Sequence, residues 1–302
     1  MQSTRDALAA DFEAYRIERR LHDVPPHEVH EVTVDGNRAV CKRDTGPTGH
    51  AGVEGRATAF VGEHTDVPVP DVLAVGTGHY VAAWHPDAPS PDGEHDADEA
   101  WSRAAGRGLA TLHAQTAPHL DGYGEFGMAG DDLALPEADI WRDAALAVVQ
   151  ARRDVLAEHG HADVADAVLD FLREHPGAFA GAGDSALCHG WWTPAHVAVC
   201  DGEVACVVDF EHALAAPGEW DYWRTVLPAF DGGDAQAAFR AGYESVRSLP
   251  DGFAARRPLY VALIGTYYVE SLYVQDQHGP EATAARADFL RESVFDALDA
   301  LA

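Results

Sequence analysis

The chain has 302 residues, 47% of them apolar, enough for a sizeable core in one two-lobed domain or two ordinary ones, and too many for a largely disordered protein. Its formal charge of −29 opposes nucleic acid or an anionic membrane as a partner, because both would repel such a surface. Of 21 basic residues only Lys42 is a lysine, a halophilic pattern that suits concentrated salt, where acidic self-repulsion is screened; a GC-rich coding bias toward Arg and Ala pushes the same way.

The N-terminal segment is charged and lacks the apolar run of a targeting signal. The apolar stretch at 259–269 stops at Glu270 and is too short to span a bilayer. Cys41, Cys188, Cys200 and Cys206 form no CxxC pair and no secreted framework, so a reduced, cytoplasmic protein is expected.

In chain order, residues 3–18 read as a helix of small apolar and charged residues. Two strands follow within 27–44 around Asp35-Gly36, a strong hairpin turn, and the return strand carries Lys42. A glycine-rich loop at 46–52 leads to a short helix at 53–65, and 67–86 reads as two further strands around a glycine turn. Residues 87–98 turn rich in Pro, Asp, Glu, Ser and Gly and read as a linker. Beyond it the pattern is helical with one β interruption, a hairpin at 195–210 turning at Asp201-Gly202. A two-residue loop there sets Cys200 opposite Glu203, so no cross-strand disulfide with Cys206 is implied. No internal repeat is visible. The expected architecture is therefore α+β: a small strand-rich lobe over 1–86, an acidic linker over 87–98, and a large, mainly helical lobe over 99–302 that carries the hairpin.

Phosphoryl transfer needs a cation on the phosphates, carboxylates for Mg²⁺ and a group that positions the nucleophile. Lys42 is the only lysine in a chain that otherwise uses arginine, and it lies on a strand beside Val40 and Cys41. A chance surface lysine is the plain alternative, but arginine would serve on the surface, and a compact ammonium differs from a guanidinium. Glu54 opens the helix that follows and is placed to pair with it. Asp209 ends the return strand of the second hairpin, either as a strand-end cap or as a carboxylate projecting into a cleft.

Taken with "VPVPDVL", "YVAAWHP", "GLATLHAQ", "LCHGWWTPAHVAV", "VVDFEHALAAPGEWDYWR" and "AFRAGYESV", these residues make the chain resemble the aminoglycoside phosphotransferase and choline kinase-like family over most of its length. The resemblance implies a bilobal, protein kinase-like fold with Mg²⁺ and ATP or another nucleotide as cofactors and a small-molecule acceptor. It makes Lys42 and Glu54 the phosphate-gripping pair, with Trp84 at the nucleotide-binding hinge. It makes Asp209 a metal ligand, Asp221 the support of the catalytic loop and His189 the structural histidine of that loop.

Three positions depart from the family pattern. Trp191 stands where the catalytic aspartate of H-G-D belongs, and His196 replaces the asparagine expected as second metal ligand; Mg²⁺ prefers oxygen donors. The place expected to hold a glycine-rich phosphate loop reads "HDVPPH", and proline has no N–H to offer phosphate. The glycine-rich run at 45–52 is either a substitute cradle at a helix N-terminus or an ordinary connector. Glu211, His212 and Glu219 are all available as substitute bases. Trp191 and Trp192 either stack on a ligand or fill volume. None of the 17 histidines shows zinc-site spacing. Two functions follow: an atypical phosphotransferase acting on a small hydroxylated or aminated metabolite, or a pseudokinase that binds nucleotide or another ligand without turnover.

Overall fold

A computed structural model describes residues 3–90, 93, 96–130, 132–230 and 232–301. Helix α1 (Thr4–Asp11) starts at a capping box in which Ser3 and Asp6 exchange hydrogen bonds, and it ends where Phe12 turns extended. The helix expected over 3–18 is thus cut short, and Tyr15–Val24 forms strand β1. The charged run of β1 is satisfied across strands instead of along a helix face: Arg19 Nε donates to Glu31 at 2.9 Å, and Thr33 Oγ1 to Glu18 at 2.6 Å. Tyr15 and Ile17 pack on a small core of Leu8, Val32, Val34, Ala39, Cys41 and Val81.

Strands β2 (His27–Val34) and β3 (Asn37–Asp44) form the expected hairpin, with φ of 48° at Asp35 and 83° at Gly36, the left-handed pair that its tight turn requires. Helix α2 (Ala51–His64) then lies on the sheet completed by β4 (Val72–Gly76) and β5 (His79–Ala83), in the order β1-β2-β3-β5-β4. Gly55 permits the close approach of α2 to β5, since a Cβ there would sit 2.5 Å from Tyr80 Cβ. In the expected linker, residues 91, 92, 94 and 95 lie outside the described residues, and Asp98 caps the next helix through Trp101 N–H at 2.7 Å.

The helical lobe runs through α3 (Glu99–Thr116), β6 (Gly124–Glu125), β7 (Gly127–Ala129), β8 (Asp132–Ala134), α4 (Trp141–Glu158) and α5 (Ala162–Glu174). It continues through β9 (Ser185–Cys188), β10 (Val197–Cys200), β11 (Glu203–Val207), β12 (Leu214–Pro217) and α6 (Gly218–Ala229). It ends with α7 (Gly233–Glu244), α8 (Phe253–Val274) and α9 (Pro280–Asp299). The β10–β11 hairpin pairs Cys200 with Glu203 as its turn demands, and the four cysteines are free.

That hairpin is not the lobe's single β element. Strands β6, β12 and β9 form a small sheet and β7–β8 a second hairpin. The four-residue segments "SALC" and "LAAP" are buried throughout, so they show no inside–outside alternation for a sequence pattern to detect. The sheet pins both ends of the segment 189–213, so the site loops hang between two strands that bond to each other. No helix of the described residues is long and apolar enough to cross a membrane.

Candidate active site

Lys42 sits on β3 between β2 and β5, with Cys41 turned into the small core and Lys42 on the opposite face, toward the helical lobe. Only 5% of it is exposed. A buried ammonium needs partners, and it has three: Glu54 Oε2 at 2.7 Å, Asp209 Oδ1 at 2.5 Å and Glu211 Oε2 at 2.9 Å. Burial pulls its pKa down, but Asp209, Glu211 and Glu54 together lift it well above the usual lysine range.

Glu54 comes from the first turn of α2 and is brought to β3 by the close approach at Gly55. Its Oε1 accepts from Tyr80 O–H at 2.8 Å. Burial pushes its pKa up to about 7 against the pull of Lys42. Asp209 and Glu211 come from the other lobe, just after β11. Asp209 holds a φ of 70°, strained for a residue with a Cβ, two residues beyond the end of β11. Burial raises the pKa of both carboxylates, but Lys42 outweighs it and holds each well below the usual range.

Two histidines close the cluster. His27 follows the Pro25-Pro26 turn between β1 and β2, and its Nδ1 stands 2.7 Å from Glu211 Oε2. His196 Nε2 stands 3.1 Å from Asp209 Oδ2, while its Nδ1 faces Thr193 Oγ1 at 3.1 Å and Trp191 O at 3.2 Å. His196 thus stands against Asp209, the other residue expected at the metal.

The loop after β9 is fastened from behind. Asp221, fully buried in α6, accepts from the backbone N–H of His189 at 2.6 Å and of Gly190 at 2.8 Å, with His113 Nε2 at 3.3 Å. The His189 ring reaches Val208 O at 2.9 Å, which couples this loop to the strand leading to Asp209. Burial lowers the His189 pKa to about 4 despite Asp221, so the ring is neutral. The two tryptophans part company here. Trp192 is buried, with its indole N–H donating to Ala105 O at 3.0 Å, whereas Trp191 is half-buried and packs edge-on against Tyr268 at 5.5 Å.

Trp84 lies one residue beyond β5, and Arg38 covers its ring with the guanidinium 3.3 Å from the centroid. Lys42 pairs with Tyr80 in the ladder, so Trp84 is four residues along the strand direction, roughly 13 Å away. The glycine-rich run has spent amides: Ala51 N–H donates to Asp44 Oδ1 at 2.9 Å and His50 N–H to His27 Nε2 at 3.4 Å. It therefore reads as a connector. Glu219 leaves the list of substitute bases, because its carboxylate is buried in an ion pair with Arg256. Glu211 and His212 stay, with His212 Nε2 3.2 Å from Glu211 Oε1 and Tyr267 O–H 2.8 Å from His212 Nδ1. Sequence reasoning missed His27 and Tyr80 as cluster members, and it weighed Glu211 only as a base.

One ammonium facing three carboxylates leaves the cluster short of positive charge. The rise of Glu54 toward neutrality is one response, and a divalent cation is another. The oxygen donors of Asp209 and Glu211 suit Mg²⁺; the nitrogen of His196 does not. A group of His113, Cys188 and Asp221 is also close enough to hold a metal ion. Burial raises the Cys188 thiol well above its usual range, however, and Asp221 is already committed to the loop.

The comparisons with known proteins accord with this geometry. Among solved structures, a putative fructosamine-3-kinase from Thermobifida fusca superposes with a TM-score of 0.71 at 18% identity, covering 99% of both chains. A thermostable mutant of aminoglycoside phosphotransferase APH(4)-Ia, solved in ternary complex with ADP and hygromycin B, gives 0.66 at 14% identity over 99% of both chains. A macrolide 2'-phosphotransferase type I gives 0.61 at 17% identity over 95% of this chain and 97% of that one. All share the protein kinase-like fold, with the strand-rich lobe followed by the helical one. None of the curated protein sequences compared with the chain matches it. Residues 19–259 match the phosphotransferase enzyme family, and the chain belongs to that family.

Proposed function

We propose that the protein is an atypical ATP- and Mg²⁺-dependent phosphotransferase acting on a small hydroxylated or aminated molecule, in the reduced cytoplasm of a salt-adapted cell. The observation that carries this reading is the convergence of Lys42 on Glu54 at 2.7 Å and on Asp209 at 2.5 Å, across the two lobes. Structural relatives of the same fold have been solved with ADP or AMP-PNP, which supports a nucleotide in the corresponding cleft.

In this reading Lys42 binds the nucleotide phosphates and Glu54, steadied by Tyr80, holds the ammonium in place. Asp209 and Glu211 hold Mg²⁺, which when bound neutralises charge on the phosphates. Asp221 and His113 keep the loop at 189–191 rigid, and His189 ties it to the metal strand. Proton removal from the acceptor is the weak link. Trp191 carries no base, Lys42 holds Glu211 well below the usual carboxylate range, and burial lowers His212 to about 3. A positioned base contributes about 10²–10⁴-fold, so turnover is slow by roughly that factor.

Trp191 favours a second reading, a pseudokinase that binds ligand without turnover. Release of phosphate from ATP in high salt separates the two. Slow turnover that disappears in Asp209→Ala supports the enzyme; nucleotide binding with no turnover, and none on adding candidate acceptors, supports the pseudokinase.

A further inference from the structure

A cleft of about 440 Å³ opens beside Trp191, walled mainly by the end of α8, by α9 and by the turn that joins them. Its size falls within the range of small-molecule sites. Trp191 links this cleft to the Lys42 cluster. Its ring meets Tyr268 of the cleft wall edge-on at 5.5 Å. It also meets His212 at 6.3 Å, whose Nε2 stands 3.2 Å from Glu211 Oε1.

Trp191, Tyr268, Leu272 and Phe289 make one part of the lining apolar. Phe289 is 69% exposed, a ring left in water that the apolar body of a ligand would cover. The polar lining is neutral: the Ser271 hydroxyl and the Gln275 and Gln277 carboxamides. A carboxamide both donates and accepts, as a ligand hydroxyl does, and the two glutamines engage each other only at 3.5 Å. The charge of the lining runs against the rest of the chain. Asp and Glu supply 50 of the 302 residues, yet among the described residues no carboxylate lines this cleft. Asp276 and Asp288, chain neighbours of the wall residues, stand outside it, and the basic side chains Arg286 and His278 stand on its wall. An ammonium entering the cleft therefore loses water and gains no counter-charge. Arg286 is exposed, so solvent screens what it offers an anion.

We infer that the cleft beside Trp191 binds a neutral, hydroxylated molecule with an aromatic or alicyclic body, the body against Trp191, Tyr268 and Phe289 and the hydroxyls toward Ser271, Gln275 and Gln277. This narrows the proposed acceptor from hydroxylated or aminated to hydroxylated, and it excludes a polycation, for which acidic walls are needed. Calling the molecule the phosphoryl acceptor rests on the proposed function; its binding does not.

The test is calorimetric titration at pH 7 with four matched probes. Phenyl β-D-glucopyranoside is neutral, its 6-amino-6-deoxy analogue is a cation, phenyl β-D-glucuronide is an anion, and methyl β-D-glucopyranoside lacks the ring. The phenyl glucoside is expected to bind at millimolar concentration or below, about tenfold more tightly than the methyl glucoside, because the ring adds buried apolar area. The amine is expected to bind about fivefold or more weakly than the phenyl glucoside, and the glucuronide no more tightly than it. Phe289→Asp supplies the missing carboxylate at an exposed position, so the fold and the melting temperature are expected to stay unchanged. In that variant the phenyl glucoside is expected to weaken and the penalty on the amine to vanish. No binding of the phenyl glucoside at millimolar concentration, equal binding of the methyl glucoside, tighter binding of either charged probe, or a penalty on the amine that survives Phe289→Asp overturns the inference. ATP binding is measured on the same samples: glucoside binding without ATP binding removes the phosphotransferase reading alone, and ATP binding without glucoside binding removes this inference alone.

Discussion

His27 Nδ1 lies 2.7 Å from Glu211 Oε2, joining the β1–β2 turn of one lobe to a carboxylate of the other. Glu211 also accepts from Lys42 at 2.9 Å, so on the proposed reading the protein's own charges occupy the place of the nucleotide phosphates. On that reading a bound nucleotide displaces the contact. His27→Ala is expected to tighten ATP binding by about fivefold, the equivalent of roughly 1 kcal/mol for one hydrogen bond no longer competing. Unchanged or weaker affinity by calorimetry would show that His27 is a ligand contact and not a latch.

Acid sensitivity follows from the buried rings. Burial lowers His189 to about 4 and His212 to about 3, from an ordinary 6.5. Between 6.5 and those values the unfolded chain takes up protons that the folded one refuses, so stability falls as pH falls through that window. Glu54 acts oppositely: its folded pKa of about 7 lies above its ordinary 4.5, so its contribution is lost as pH rises between them. Burial lowers four histidines, His30, His113, His189 and His212, and raises three carboxyls, Glu54, Glu219 and Glu270, so the histidines outweigh the carboxyls and the melting temperature is expected to drop on acidification from pH 6.5. His212→Gln is expected to flatten the slope by up to about 1.4 kcal/mol per pH unit. An unchanged slope would contradict burial as the cause.

Trp191→Asp restores the residue type that the family pattern places there but leaves the Pro25-Pro26 turn and the His196–Asp209 contact untouched. Turnover is expected to rise by less than about 10²-fold, the low end of what a base supplies. A larger gain in steady-state phosphate release would show that Trp191 alone limits the reaction.

Gly55→Ala places a Cβ 2.5 Å from Tyr80 Cβ, so α2 must move off β5 and carry Glu54 with it. Thermal denaturation is expected to show a loss of about 1–3 kcal/mol, together with weaker nucleotide binding. A stable variant with normal binding would show that the close approach does not position Glu54.

Lys42, Glu54 and Asp209 were legible because each carries a local mark: a lone lysine on a strand, a carboxylate in the next helix, a carboxylate after a tight hairpin. His27 carries none, since its role exists only after the β1–β2 turn folds against Glu211 across the lobes. Residues 15–18 misled because their charges were read as a continuation of the helix before them, although Tyr15 and Ile17 alternate with Arg16 and Glu18 at strand spacing and pack on the small core. Strands β9 and β12 escaped for want of alternation.

The account stands on the Lys42 cluster as a nucleotide site, and titration of Mg·ATP into the protein in high salt, beside Lys42→Met and Asp209→Ala, tests it most directly. The prediction is saturable binding by the native chain, lost or much weakened in both variants with their folds intact. Absence of binding by the native chain, or equal binding by all three proteins, would contradict it.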